Sequence, residues 1–146
     1  MSVAALVLAS SFALADPAAQ EPARAFSIND AELNWGPCPD FIPKGCEIAV
    51  LHGDPGKNNA DIFFKVPANF KVPHHWHTSA ERMVLVSGEL EVTYDGQQPT
   101  VLRPGMYAYG PPKLPHKAIC ADGDPCVLFI AFEGPLDAVP TKSAAD

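Results

Sequence analysis

An all-β fold of about ten short strands, closed as a barrel or stacked as a sandwich, is what this sequence predicts. Three observations predict it. The chain spends 16 prolines and 10 glycines in 146 residues, a usage that favours short strands joined by defined turns over helices. Apolar residues alternate in short runs and nowhere repeat with a helical period. Turn signals recur between those runs, at Gly53-Asp54-Pro55-Gly56, Pro67-Ala68-Asn69, Asp95-Gly96 and Gly110-Pro111-Pro112. The length suits one domain with a modest core.

Residues 1–15 are short, apolar and rich in small side chains, and end in Ala13-Leu14-Ala15. They read as a secretory signal peptide, although no Lys or Arg precedes Val3. Residues 16–34 read as a Pro/Ala-rich linker with at most one helical turn over Asp30–Leu33, capped by Asn29 or Asp30. The run Trp35–Pro43 is too rich in proline for regular structure and is expected to lie extended along the surface. The main domain is set at 35–134. Strands are expected at 46–52, 61–66, 72–77, 82–86, 89–94, 100–102, 106–109, 116–120 and 126–132. The last of these, CVLFIAF, is apolar on both faces, so it is either buried on both sides or at a subunit interface. Residues 135–146 are polar, carry two prolines and read as a flexible tail.

A formal charge of −7 argues against nucleic acid and anionic membrane surfaces as partners. No run of eighteen or more apolar residues offers a spanning helix.

The chemistry concentrates in VPHHWHTSAERMVLVSG, residues 72–88. In an extended strand His75 and His77 share a face while Trp76 points away. After Thr78–Ala80, Glu81 opens the next strand and can turn its carboxylate toward the same point. Two neutral nitrogens and an anionic oxygen make a partial coordination shell for a divalent metal, and His116 is the best candidate for the missing ligand. His74 should face the opposite way, as a surface residue, and His52 reads as structural. Lys113 either overlooks the site or is a solvated loop lysine. Met83 and Leu85 share the face of Glu81 and should line a cavity, to which Phe63, Phe64, Tyr107 and Tyr109 contribute according to register.

These residues resemble the two motifs of the cupin superfamily. The first, G-x5-H-x-H-x3-E-x6-G, is met by His75, His77, Glu81 and Gly88, with Asn69 in place of the leading glycine. Asparagine is the residue next best able to adopt a left-handed turn conformation. The second, G-x5-P-x-G-x2-H-x3-N, is met by Gly105, Pro111 and His116, with Lys113 in place of glycine and Cys120 in place of asparagine. The resemblance covers about Ala49 to Phe132. It implies a double-stranded β-helix, the jelly-roll barrel of a small single-domain bacterial cupin. It further implies one divalent transition metal (Fe, Mn, Cu, Ni or Zn) bound by His75, His77, Glu81 and His116. A homodimer is the default it implies.

Cys38 and Cys46 lie eight residues apart, and Cys120 and Cys126 lie six apart. In the oxidising compartment that a signal peptide implies, periplasmic or extracellular, the expected bridges are Cys38–Cys46 and Cys120–Cys126. The second would staple the last two strands of an apparent hairpin.

Three classes of function fit. One is a metal-dependent dioxygenase acting on a small aromatic or enolisable substrate, with Glu81 as ligand or as the base that takes a substrate proton. Another is a non-redox lyase, isomerase or hydrolase, and the third a binding or sensing module without turnover. Fold does not choose among them. The apolar cavity face and the lack of an Arg/Lys cluster near either motif favour the first.

Overall fold

Alternation becomes architecture wherever one face of a strand can be covered. Leu90, Val92 and Tyr94 point inward while Glu91 and Thr93 point out, and Glu81, Met83 and Leu85 do the same on the strand before. The computed structural model describes residues 21–141, so the proposed signal peptide, the first part of the linker and residues 142–146 lie outside it. Its strands are β1 (Trp35–Pro37), β2 (Glu47–His52), β3 (Ala60–Val66), β4 (Lys71–Trp76), β5 (Glu81–Ser87) and β6 (Leu90–Tyr94). They continue as β7 (Thr100–Leu102), β8 (Tyr107–Gly110), β9 (His116–Cys120), β10 (Cys126–Phe132) and β11 (Val139–Pro140). No helix occurs among the described residues.

Two antiparallel sheets, ordered β1-β2-β3-β10-β5-β8 and β11-β4-β9-β6-β7, face each other as the jelly roll expected of the sequence. Between them lies the main core, with Ile62, Val66, Leu85, Leu90, Leu102, Leu128 and Ile130 buried. A second apolar cluster sits on the outer face of the six-stranded sheet. There Phe26, Ile28, Leu33 and Trp35 pack over Ala49, Phe63 and Val127. This answers the two-faced strand β10: Leu128 and Ile130 face the main core, while Val127 and Phe129 are covered by the chain's own N-terminal segment.

Several expectations are corrected. Trp35–Pro37 is a strand despite its proline, because it pairs along the edge with β2, where a missing N–H costs nothing. The helical turn at Asp30–Leu33 is a pair of tight turns, with Asp30 N–H donating to Ser27 O and Leu33 N–H to Asp30 O. The tail expected to be flexible returns as β11 against β4.

Both disulfides have the expected partners. However, β9 and β10 belong to different sheets and form no hairpin, so Cys120–Cys126 staples one sheet to the other. Gly88 makes room for it: a Cβ there would stand 2.9 Å from both Cα and Sγ of Cys126, at a backbone φ of +79°. Asn69 has a φ of 62° and Lys113 a φ of 61°, so both non-glycine residues at the motif's glycine positions keep the left-handed turn.

Candidate metal centre

An irregularity in β4 aims the site. Val72 and His75 both line the interior cavity although they are three residues apart, a spacing that puts residues of a regular strand on opposite faces. The pairing of β4 with β9 slips between Val72 and His75, so Pro73-His74 takes up an extra residue as a bulge. Proline is at home there, having no N–H to leave unpaired. From His75 the two-residue alternation resumes and carries His77 to the same side. His116 begins β9 directly across from both His75 and Tyr94. Glu81 begins β5 on the other sheet, across from Gly110. A Cβ on Gly110 would lie 3.0 Å from Glu81 Oε2 and 2.7 Å from the Tyr94 hydroxyl, so glycine there leaves those two groups their space.

The hydrogen bonds of the rings fix their tautomers. His75 Nδ1 meets Pro73 O at 2.7 Å, His116 Nδ1 meets Leu114 O at 3.3 Å, and His77 Nδ1 meets Asp137 O. A carbonyl only accepts, so each Nδ1 carries the ring proton and each Nε2 keeps a lone pair. Those lone pairs converge. The Nε2 atoms of His75 and His77 are 3.0 Å apart, and the three rings' ligating atoms all lie within 4.8 Å of one another. Glu81 stands beside two of them, with Oε1 3.2 Å from His77 Nε2 and Oε2 3.6 Å from His116 Nε2.

Burial keeps this cluster uncharged when no cation is bound. Desolvation, then the neighbouring His77, lowers His75 to about 4. Desolvation, then His75 and His77, lowers His116 to about 3. His77 is also lowered by burial, against the opposing bond to Asp137. Burial raises Glu81 to about 8, and burial followed by the charge of Glu81 raises Tyr94. The contacts of Glu81 with the rings are therefore not ion pairs in that state. Two bare imidazole nitrogens at 3.0 Å share no proton and repel each other; a divalent cation among them turns that repulsion into ligation. The donor set fits such an ion, which would also pull Glu81 back to its ionised form.

The cavity around the cluster encloses about 70 Å³. Ile62, Phe64, Val72, Met83, Leu128 and Phe132 form much of its wall. Met83 and Phe64 thus line it as expected, whereas Leu85 is buried in the core and Phe63 faces the outer cluster. Tyr107 and Tyr109 are 60% and 50% exposed on the sheet edge and take no part. Lys113 is an exposed loop lysine whose main-chain N–H holds His77 O at 2.7 Å. His52 lies outside the barrel with Glu21. His74 does point away from the site, but it is half-buried, its ring bonded to Asp95 at 2.7 Å and to Thr141.

Two features went unread in the sequence. Tyr94 is buried in the cavity wall, its ring 4.8 Å from that of His116 and its hydroxyl without a partner among the described residues. The alternation of LEVTY already placed it inward. The other is the segment Leu136-Asp137-Ala138, which also lines the cavity. No pattern in the sequence announces its return to the barrel.

Comparison with known proteins agrees with this architecture. Residues 62–132 match the family model described as a cupin domain. These residues form a cupin domain, and the barrel has the cupin fold. Its barrel is similar to the DMSP lyase DddQ from Ruegeria pomeroyi DSS-3, with 22% identity and a TM-score of 0.66, over 78% of this chain and 64% of the lyase. It is similar to the polyketide cyclase RemF from Streptomyces resistomycificus, with 17% identity and a TM-score of 0.64, over 84% and 89% of the two chains. An oxalate oxidase is similar at 18% identity and a TM-score of 0.58, over 68% of this chain and 56% of the oxidase. At such identities the likeness shows the fold alone. Among curated proteins there is no significant match.

Proposed function

We propose that this chain is an exported metal-binding cupin and a metal-dependent enzyme acting on a small aromatic or enolisable substrate. The observation that carries the reading is the convergence of three buried Nε2 lone pairs, each ring's other nitrogen being committed to a carbonyl. His75, His77, His116 and Glu81 would hold one divalent transition metal. When bound, it supplies Lewis acidity and coordination positions open to substrate and, for a redox-active ion, to O2.

The chain's own residues do the rest. The apolar wall takes the substrate's hydrocarbon body and excludes water from the reacting atoms. Tyr94 offers its hydroxyl proton to a substrate oxygen. Glu81 acts as a ligand or, when displaced from that role, as the catalytic base: its carboxylate, next to two of the rings, then accepts the proton of a substrate hydroxyl or of a carbon beside a carbonyl. Dioxygenase chemistry on the resulting enolate is the first reading. A non-redox lyase or isomerase that uses the metal as a Lewis acid is the second. A binding or sensing role without turnover is the outcome if neither chemistry is found. Export after removal of residues 1–15 is supported by the two disulfides. The homodimer that the family resemblance implies belongs to the same proposal.

Metal analysis of protein purified without chelator is expected to give near one transition metal per chain and to identify it. Oxygen uptake with a flavonol, a catechol or a β-diketone then separates the readings. Substrate consumption without O2 uptake sinks the dioxygenase reading, and a ligand-shifted metal spectrum without turnover sinks both enzymatic ones.

A further inference from the structure

We infer that the C-terminal strap, residues 135–141, is a working part of the metal centre, with Asp137 the positioning residue for His77. The inference rests on the metal-site reading above and extends it to a segment outside both sequence motifs.

The strap follows the ligand-bearing segment almost residue by residue. Leu136 N–H donates to Pro55 O at 2.8 Å and fixes the near end. The Asp137 carbonyl accepts the His77 Nδ1 proton, and its carboxylate accepts the Thr78 N–H at 2.8 Å and the Thr78 hydroxyl. Val139 pairs with Trp76 and Pro140 with His75. Thr141 N–H donates to His74 O at 3.1 Å, and the Thr141 hydroxyl meets the His74 ring. Along the way Leu136, Asp137 and Ala138 roof the cavity.

An asymmetry among the three rings gives this contact its consequence. His75 and His116 each fix their tautomer locally, on a carbonyl two residues earlier in the chain. His77 takes its carbonyl from Asp137, 60 residues away. A neutral imidazole without such a partner divides its proton between both nitrogens, and the form protonated on Nε2 cannot ligate through that atom. Two ligands are thus pre-set by their own strands, while the third is set only when the strap is down. Metal binding and strap docking then favour each other by the same factor, as linkage requires. The roof of the cavity and the competence of its metal centre become one equilibrium.

The test uses the full chain, Zn²⁺ as probe, and two variants. Asp137→Ala removes the latch on Thr78, and a stop after Gly134 removes the strap. In metal-free protein, ¹⁵N spectra of the imidazoles should show His77 alone passing from Nδ1–H to a tautomer mixture in both variants, with His75 and His116 unchanged. Zn²⁺ affinity should fall on the order of 10-fold for Asp137→Ala and up to about 100-fold for the truncation. Asp137→Asn should recover part of the loss. In the parent chain, Zn²⁺ should slow amide exchange at residues 136–141 by a factor matching the affinity change. An unchanged His77 tautomer, or unchanged affinity in both variants, overturns the coupling. Should the truncated chain fail to fold, Asp137→Ala decides alone. A parent chain that binds no Zn²⁺ overturns the coupling together with the metal centre itself, whereas intact Zn²⁺ binding in unaffected variants overturns the coupling only.

Discussion

The two ends of the chain cover the barrel in different ways. The N-terminal cover lays Phe26, Ile28 and Leu33 on the outer face of the six-stranded sheet through apolar contacts and runs into the edge strand β1, where Trp35 stacks 6.5 Å from Phe63. The C-terminal strap crosses the cavity and meets the barrel through directed hydrogen bonds to Thr78, His77 and His74. Apolar burial is non-directional and scales with area, so the first contact adds stability and specifies little. A carbonyl aimed at a ring nitrogen adds little net stability and specifies which nitrogen carries the proton. One end of the chain serves the fold, the other the site.

The sharpest way to break this comparison is to remove two of the proposed metal ligands. A His75→Ala/His116→Ala variant is expected to fall from near one metal per chain to near none, read by elemental analysis. Amide exchange should then quicken at 136–141 and stay unchanged at 26–37. Full metal content in that variant would remove the basis for the metal centre. The opposite cut is Phe63→Ala, which empties the middle of the outer cluster. It should lower unfolding free energy by about 3–5 kcal/mol, measured by urea denaturation, and leave Zn²⁺ affinity unchanged. A neutral control lies at the far end of the barrel. Strand β9 runs from His116 to Cys120 and β10 from Cys126 to Phe132, so their disulfide sits opposite the site. Cys120→Ala/Cys126→Ala should cost about 2 kcal/mol and change neither the affinity nor the exchange of either cover.

The same contrast explains how much the sequence could tell. Nine of the strands were legible because period-two alternation and turn residues are local signals, and the clustering of His75, His77 and His116 was legible because strand alternation and the spacing of the two motifs place them. Asn69 was legible through its tolerance of a left-handed conformation, which its φ of 62° bears out. The bulge at Pro73-His74 leaves no trace in hydrophobic pattern. Neither terminal segment announces what it packs on: WGP reads as a breaker until its edge position is known, and PLDAVPT reads as a loose tail. Their order comes from partners distant in sequence, such as Asp137 with Thr78 and Phe26 with the sheet face. The assignment of β9 and β10 to one hairpin failed for the same reason, since a short Gly/Pro connection can join two sheets as well as two neighbours.

The smallest expected effect concerns pH, and it belongs to the site end alone. In the metal-free chain, His75 and His116 take up protons near 6.5 when unfolded but only at about 4 and about 3 when folded. The unfolded state binds more protons below 6.5, so these two rings make stability fall as pH drops through that range. Glu81 acts in the opposite sense. Its folded value of about 8 lies above the unfolded 4.5, so its contribution is whole below 4.5 and is lost as pH rises through 8. His77 is lowered in the same sense, so from 4.5 to 6.5 the rings' protons outnumber the one on Glu81, a net rise of at least about 1 kcal/mol per pH unit. Above 6.5 only the loss from Glu81 remains, so the stability of the metal-free chain should peak near pH 6.5. Bound Zn²⁺ holds Glu81 ionised and should erase the alkaline limb, moving the maximum upward. Phe63→Ala should lower the whole curve and leave the position of its maximum alone. Urea midpoints between pH 5 and 8.5, with and without Zn²⁺, measure all three curves. A metal-free curve that rises steadily to pH 8.5 would show that Glu81 is not held neutral by its burial, and that the acid limb alone belongs to the rings.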